Sequence, residues 1–217
     1  MLGTLRALIP TRRLQFCEAL RIAELQANRL LGMRGITEAA VPSEIVTELP
    51  RITIEYAIDM PFSGASCWDT NRRSWIITLN ALEPDTRHRF SLLHEYKHIV
   101  DHGHSQLIYS GSAQQTAEEQ AEQVADYFAG CALMPKRLVK QAWGNGVQRP
   151  HDLAELFDVS PRAMQVRLSQ LGLTEPMPRC APPRIVTHRS FVPAPRRSYH
   201  RQLAPSWPAP ALTEARP

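Results

Sequence analysis

The sequence predicts an α+β fold: a mainly helical body with a small three-stranded sheet and a C-terminal pair of helices with helix-turn-helix grammar. Three observations carry that prediction. Apolar residues recur at helical spacing across residues 14–31, 90–100, 116–133 and 152–171. Between the first two stretches, Arg51 to Ile58 alternates instead, with Ile52, Ile54, Tyr56 and Ile58 on one face, as in a half-buried strand. Stop signals stand where the helical stretches end: Gly32 and Gly35, Gly103, Pro135, Gly144 and Gly146, and Gly172.

In chain order, the first helix spans 14–31, with Leu20, Ala23, Ala27, Leu30 and Leu31 along one side. Val41 to Leu49 reads as a short helix introduced by Pro42 and Ser43. Ser63 to Asp69 and Ser74 to Asn80 are the further strands, joined by the polar turn Thr70-Asn71-Arg72-Arg73. Three strands with one tight turn imply a small antiparallel or mixed sheet. Glu83-Pro84-Asp85-Thr86 opens the next helix, with Asp85 or Thr86 as its cap. Residues 104–115, polar and rich in Gly, Ser and Gln, read as a loop. Thr116 to Leu133 is a long amphipathic helix stopped by Met134-Pro135, and Lys136 to Trp143 a shorter one. The closing pair is Asp152 to Phe157 and Pro161 to Leu171, where Ser160 caps the second helix and Pro161 takes its first position.

Composition narrows the function classes. The 217 residues suit one ordinary domain with an extension, and 43% hydrophobic content is enough for a core. Cys17, Cys67, Cys131 and Cys180 form no C-x-x-C pair, which fits neither a zinc knuckle nor a disulfide framework and suits a reducing compartment. Met1 to Pro10 is too short and too charged for a signal-peptide core, and no run of about 18 apolar residues occurs, so a cytoplasmic protein without a membrane segment is expected. The net charge of +4 is unevenly placed. Residues 174–217 hold seven Arg against Glu175 and Glu214, together with ten of the 18 prolines. The expected organisation is an N-terminal helical segment over 1–44, a folded domain over 45–173, and a disordered basic Pro-rich tail over 174–217. With Phe191, Tyr199 and Trp207, that tail is the stretch that could touch nucleic acid.

The chemistry concentrates in His94-Glu95-Tyr96-Lys97-His98. Residues four apart share a helix face, so both imidazoles can reach one metal ion. Glu95 stands one position round, where a carboxylate can act on water without binding the metal. Two neutral nitrogens with a poised base are the minimum for zinc-dependent hydrolysis. A catalytic zinc takes a third protein ligand, often from a downstream helix. Residues 118–126 offer Glu118, Glu119, Glu122 and Asp126. Glu122 lies at the edge of the apolar side formed by Ala121, Val124, Ala125 and Phe128, and Asp126 follows one turn on. Glu122 is therefore the candidate ligand, and Asp126 the candidate acceptor for the outer nitrogen of a ligating histidine. Glu118 and Glu119 read as first-turn acids that complement the helix dipole.

The strings "SGASCW", "SWIITLN", "RHRFSLLHEYKHIVDH" and "EEQAEQVADYFAGCALMP", in this order, resemble the ImmA/IrrE family of metallopeptidases across roughly residues 45–173. The resemblance implies a zincin-like metallopeptidase fold, with His94, His98 and Glu122 as zinc ligands and Glu95 as general base. Asp126 stands where the family usually has Asn, and Tyr96-Lys97 replaces a more usual small or apolar pair. His102 matches a frequent family histidine and, turned off the His94 face, reads as a packing or substrate-adjacent residue. Zn²⁺ is the cofactor implied, and the substrate implied is a DNA-binding repressor with a helix-turn-helix, in stress or mobile-element regulation. Residues 1–44 are too short for a complete repressor-like domain, so that partner would be a separate chain. The competing reading is a peptidase-like body that senses or sequesters a regulator without cutting it. An oxyanion donor is not assigned: Tyr56, Tyr109, Tyr127, His102 and His104 are all candidates. Arg162, Gln165 and Arg167 lie on the second helix of the C-terminal pair, but two arginines make no dense basic patch, so packing is expected there rather than DNA binding.

Overall fold

The alternation that marks Arg51 to Ile58 yields a strand in the computed structural model, which describes residues 1–173. The basic tail expected at 174–217 lies outside the described residues. Strand β1 (Ile52–Ala57) pairs with β3 (Ser74–Asn80), and β3 with β2 (Gly64–Asp69), in the order β1-β3-β2. The β2–β3 hairpin is antiparallel, with Asp69 opposite Ser74, while β1 runs parallel to β3, so the sheet is mixed. Residues opposite one another share a face. One row of that face is therefore Ile54, Ile77 and Ser66, and the next is Tyr56, Leu79 and Gly64. Central β3 supplies the buried members, Ile77 and Leu79, and edge strand β2 supplies two small residues.

Before the sheet come α1 (Leu2–Arg6), α2 (Phe16–Met33) and α3 (Glu44–Thr47). Helix α2 buries Ala23, Ala27, Leu30 and Leu31 of the stripe that the spacing predicts, with Ala19 buried in place of Leu20, which is half-buried. After the sheet, α4 (Asp85–Asp101) crosses β2 and β3, burying Leu92, Leu93, Tyr96, Ile99 and Val100. Helix α6 (Ala117–Leu133) packs on α4 along one side and on α2 along another, and so joins the N-terminal helices to the same core. Thr116 and Glu119 close a reciprocal capping box at its start, satisfying two otherwise orphaned donors.

Several boundaries differ from the expectation. Helix α4 is capped by Pro84, with no side-chain cap, and Asp85 already occupies its first turn, where its charge meets the helix dipole. The stretch 104–115, expected as a loop, contains the short helix α5 (Ser105–Ile108), held because Ile108 and Tyr109 are buried. Helix α1 has no periodic signal, being only five residues long; Leu5 buries itself, and Arg6 donates to the carbonyls of Ile99 (2.8 Å) and Val100 (3.1 Å) at the end of α4. Helix α7 (Lys136–Gly144) leads to α8 (Pro150–Phe157) and α9 (Pro161–Leu171). The start of α8 is Pro150, not Asp152, since proline suits the first helical position.

The C-terminal helix pair is tied to the body. Arg89 of α4 donates to the carboxylate and carbonyl of Asp158 in the α8–α9 turn, and to Val41 O. Arg167 of α9 is 1% exposed and donates to Met134 O at 3.0 Å, so this side chain packs into the body, as expected for the helix pair.

Candidate metal centre

Helix α4 carries Glu95 against β2 and His94 and His98 against α6, beside the apolar residues that pack into the core. Helix α6 approaches with Glu122 and Asp126 one turn apart. Four donor atoms converge. His94 Nε2 lies 3.1 Å from His98 Nε2 and 3.3 Å from Glu122 Oε2, and His98 Nε2 lies 3.5 Å from Glu122 Oε1. Tetrahedral ligands at zinc distances of about 2.0–2.1 Å stand about 3.3–3.4 Å apart, so these spacings are those of donors around one ion of that size. His94, His98 and Glu122 together could hold a metal ion, with one ligand atom from each inside a 4.8 Å group.

Electrostatics agree with geometry. Asp126 Oδ1 lies 2.8 Å from His94 Nδ1. A carboxylate only accepts, so Nδ1 carries a hydrogen, and Nε2 is the nitrogen turned toward His98 and Glu122. The two imidazole nitrogens and the Glu122 carboxylate thus face one another, a donor set that could hold a metal ion. Burial pushes the His94 pKa down, but hydrogen bonds to Asp126 and Glu122 outweigh burial and hold it up at about 9. His98 is pushed down by burial and by the neighbouring His94 charge.

Glu95 reaches the sheet. Its Oε2 accepts a hydrogen bond from Ser66 Oγ at 2.8 Å, and the residue is 9% exposed. Ser66 belongs to a string quoted for the family resemblance, yet nothing in that string singles it out. The available signal is parity: on β2 the small residues Gly64 and Ser66 fall on the sheet face that elsewhere carries apolar side chains.

The other named residues separate clearly. Glu118 and Glu119 occupy the first turn of α6, as expected. Tyr96 and Lys97 point away from the donor group and are buried. Lys97 Nζ bonds Asp101 Oδ2 at 2.6 Å, and the Tyr109 hydroxyl donates to the same carboxylate. Burial pushes Lys97 down and Tyr109 up. Tyr109 is thus spent on Asp101. Tyr127 donates to Glu24 Oε2 at 3.4 Å, and Tyr56 stands edge-on to His88. His102 packs edge-on against Trp75, and His104 Nδ1 is 3.4 Å from the His102 carbonyl. Beside Asp126 opens a groove of about 1000 Å³, lined by Phe90, Leu133, Met134 and Val166 among others.

Comparison with known proteins bears on the whole domain. A family model described as the IrrE N-terminal-like domain, of peptidase family M78, matches residues 59–169. No curated protein matches. Among solved structures, a Mycobacterium tuberculosis transcriptional regulator shares the fold with a TM-score of 0.52 at 17% identity, over 72% of this chain and 57% of that one. This chain therefore spans little more than half the length of that regulator, and the likeness concerns the fold alone. Among the described residues no helix is long and apolar enough to cross a membrane.

Proposed function

The chain belongs to the family of IrrE N-terminal-like domains, peptidase family M78, and from that premise we propose that it is a zinc-dependent endopeptidase acting on a protein substrate, a transcriptional repressor with a helix-turn-helix. The convergence of His94, His98 and Glu122 next to Glu95 carries the reading. Those three residues would hold a zinc ion, which supplies a positive charge that acidifies water and polarises the scissile carbonyl. Glu95 takes the proton of the attacking water and passes it to the departing amine. Asp126 holds the Nδ1–H of His94 and so fixes the ring orientation and tautomer. The groove of about 1000 Å³ beside Asp126 offers room for a substrate segment. The repressor as substrate, in stress or mobile-element regulation, rests on the family resemblance. A fold shared with a transcriptional regulator accords with it.

Co-expression with DNA-binding regulators encoded beside this gene, followed by intact-mass mapping, tests the proposal. One regulator should be cut at a defined bond. Glu95→Gln should keep one zinc per chain while losing about 10²–10⁴-fold in cleavage. A Glu95→Gln protein with full cleavage would end the mechanism. If Glu95→Gln still exerted full regulation, the chain would be a sequestering module instead.

A further inference from the structure

We propose that Ser66, on edge strand β2, is the positioning residue of the general base Glu95, and that Gly64 makes its approach possible. The inference rests on the peptidase reading and deepens it. Ser66 Oγ lies 2.8 Å from Glu95 Oε2, a contact between residues 29 apart in the chain. An ionised carboxylate has no hydrogen to give, so the hydroxyl donates. Its single hydrogen is committed to Oε2, and Oε1 remains as the oxygen that takes the proton from water. When Oε1 is protonated, Oε2 still accepts from Ser66, so the same contact holds the side chain through both halves of the reaction.

The strand must come close for this to work. A Cβ at Gly64 would stand 3.2 Å from Glu95 Cγ, 3.4 Å from Leu79 Cδ2 and 3.5 Å from Ser91 Cβ. The first distance is tighter than ordinary side-chain contacts, and Leu79 is itself 1% exposed and hemmed in. Gly64 and Ser66 are two apart on β2 and therefore share the face toward α4. One residue leaves room for the Glu95 stem, and the other fixes its head. Register supports the pair: Gly64 and Ser66 sit opposite Leu79 and Ile77, the two most buried residues of β3, so the strand carrying the hydroxyl is anchored on the core.

The test compares Ser66→Ala and Ser66→Thr in zinc-loaded protein, using the regulator found to be cut. Ser66→Ala should keep full zinc content and change KM less than twofold, while kcat falls about 10- to 100-fold because the base loses its geometry. Ser66→Thr retains the hydroxyl and should recover most of that loss. In a Glu95→Gln background, Ser66→Ala should lower the residual rate no further. A readout independent of activity is a double-mutant cycle in urea unfolding of Ser66→Ala and Glu95→Ala: coupling confirms the contact, and strict additivity overturns it. The proposal also fails if Ser66→Ala retains kcat, or if Ser66→Thr is no better than Ser66→Ala. Loss of zinc from wild type, or absence of cleavage by wild type, would instead strike the peptidase reading, and the unfolding cycle would still report on Ser66.

Discussion

Two polar clusters share helix α4, and they solve opposite problems. Lys97 and Asp101 are 1% and 3% exposed, and with Tyr109 they form a closed set: the carboxylate accepts from the ammonium and the phenol together. One turn back, His94 and His98 face Glu122 and Asp126, whose side chains are 60% and 61% exposed. There, two imidazoles and two carboxylates converge where solvent reaches them. A buried group must have its partner built in, because leaving it unpaired costs several kcal/mol. A cluster open to solvent is under no such constraint, and contacts held by exchangeable protons can give way to a cation. Burial therefore separates the structural polar cluster from the candidate metal centre more clearly than residue type does, since both contain acids and bases.

Breaking the buried cluster should have the largest effect on the fold. Asp101→Ala leaves the Lys97 ammonium without its carboxylate and should cost about 3–5 kcal/mol in urea unfolding. Adding Lys97→Met to that variant should restore much of the loss, since no buried charge is then stranded. The open cluster should respond in metal affinity. Asp126→Ala removes the acceptor on His94 Nδ1 and should weaken zinc binding about 10- to 100-fold, read by competition with a chromophoric chelator. The smallest effect separates the two clusters most sharply. In the presence of excess chelator, Glu122→Gln should change stability by no more than about 0.5 kcal/mol, as exposed substitutions do. The same substitution should abolish the rise in Tm that zinc produces in the parent protein. A large loss of stability in chelator would mean that Glu122 holds the fold together, and the contrast would fall.

Much of this was legible along the chain. The i, i+4 spacing of His94 and His98 and of Glu122 and Asp126 needs only the helix repeat. Thr116 with Glu119, and Ser160 with Pro161, announce helix starts by chemistry confined to one turn. The family resemblance extends the reading to a domain that residues 59–169 match. What escaped has a common cause. Helices α1 and α5 are too short for periodicity and exist because the rest of the molecule buries Leu5 and Ile108. Lys97 looks like a solvated helix residue until Tyr109 and Asp101 close over it. Tyr109 and Tyr127 are plausible oxyanion donors in one dimension and are committed to Asp101 and Glu24 in three.

The sequence by itself determined which side chains could share a helix face, where the strands alternate, and that two histidines with an acid between them stand on one turn of helix. Those properties depend on the helix period of 3.6 residues and the strand period of two, both of which are local. Only the tertiary structure decided that α6 lays Glu122 across the two imidazoles, that Asp126 meets Nδ1, and that Ser66 reaches Glu95 past the bare backbone of Gly64. Each of these joins segments roughly thirty residues apart, and such joins follow from how the helices and sheet pack their apolar faces. That packing positions polar atoms to within a few tenths of an ångström, which spacing along the chain cannot specify.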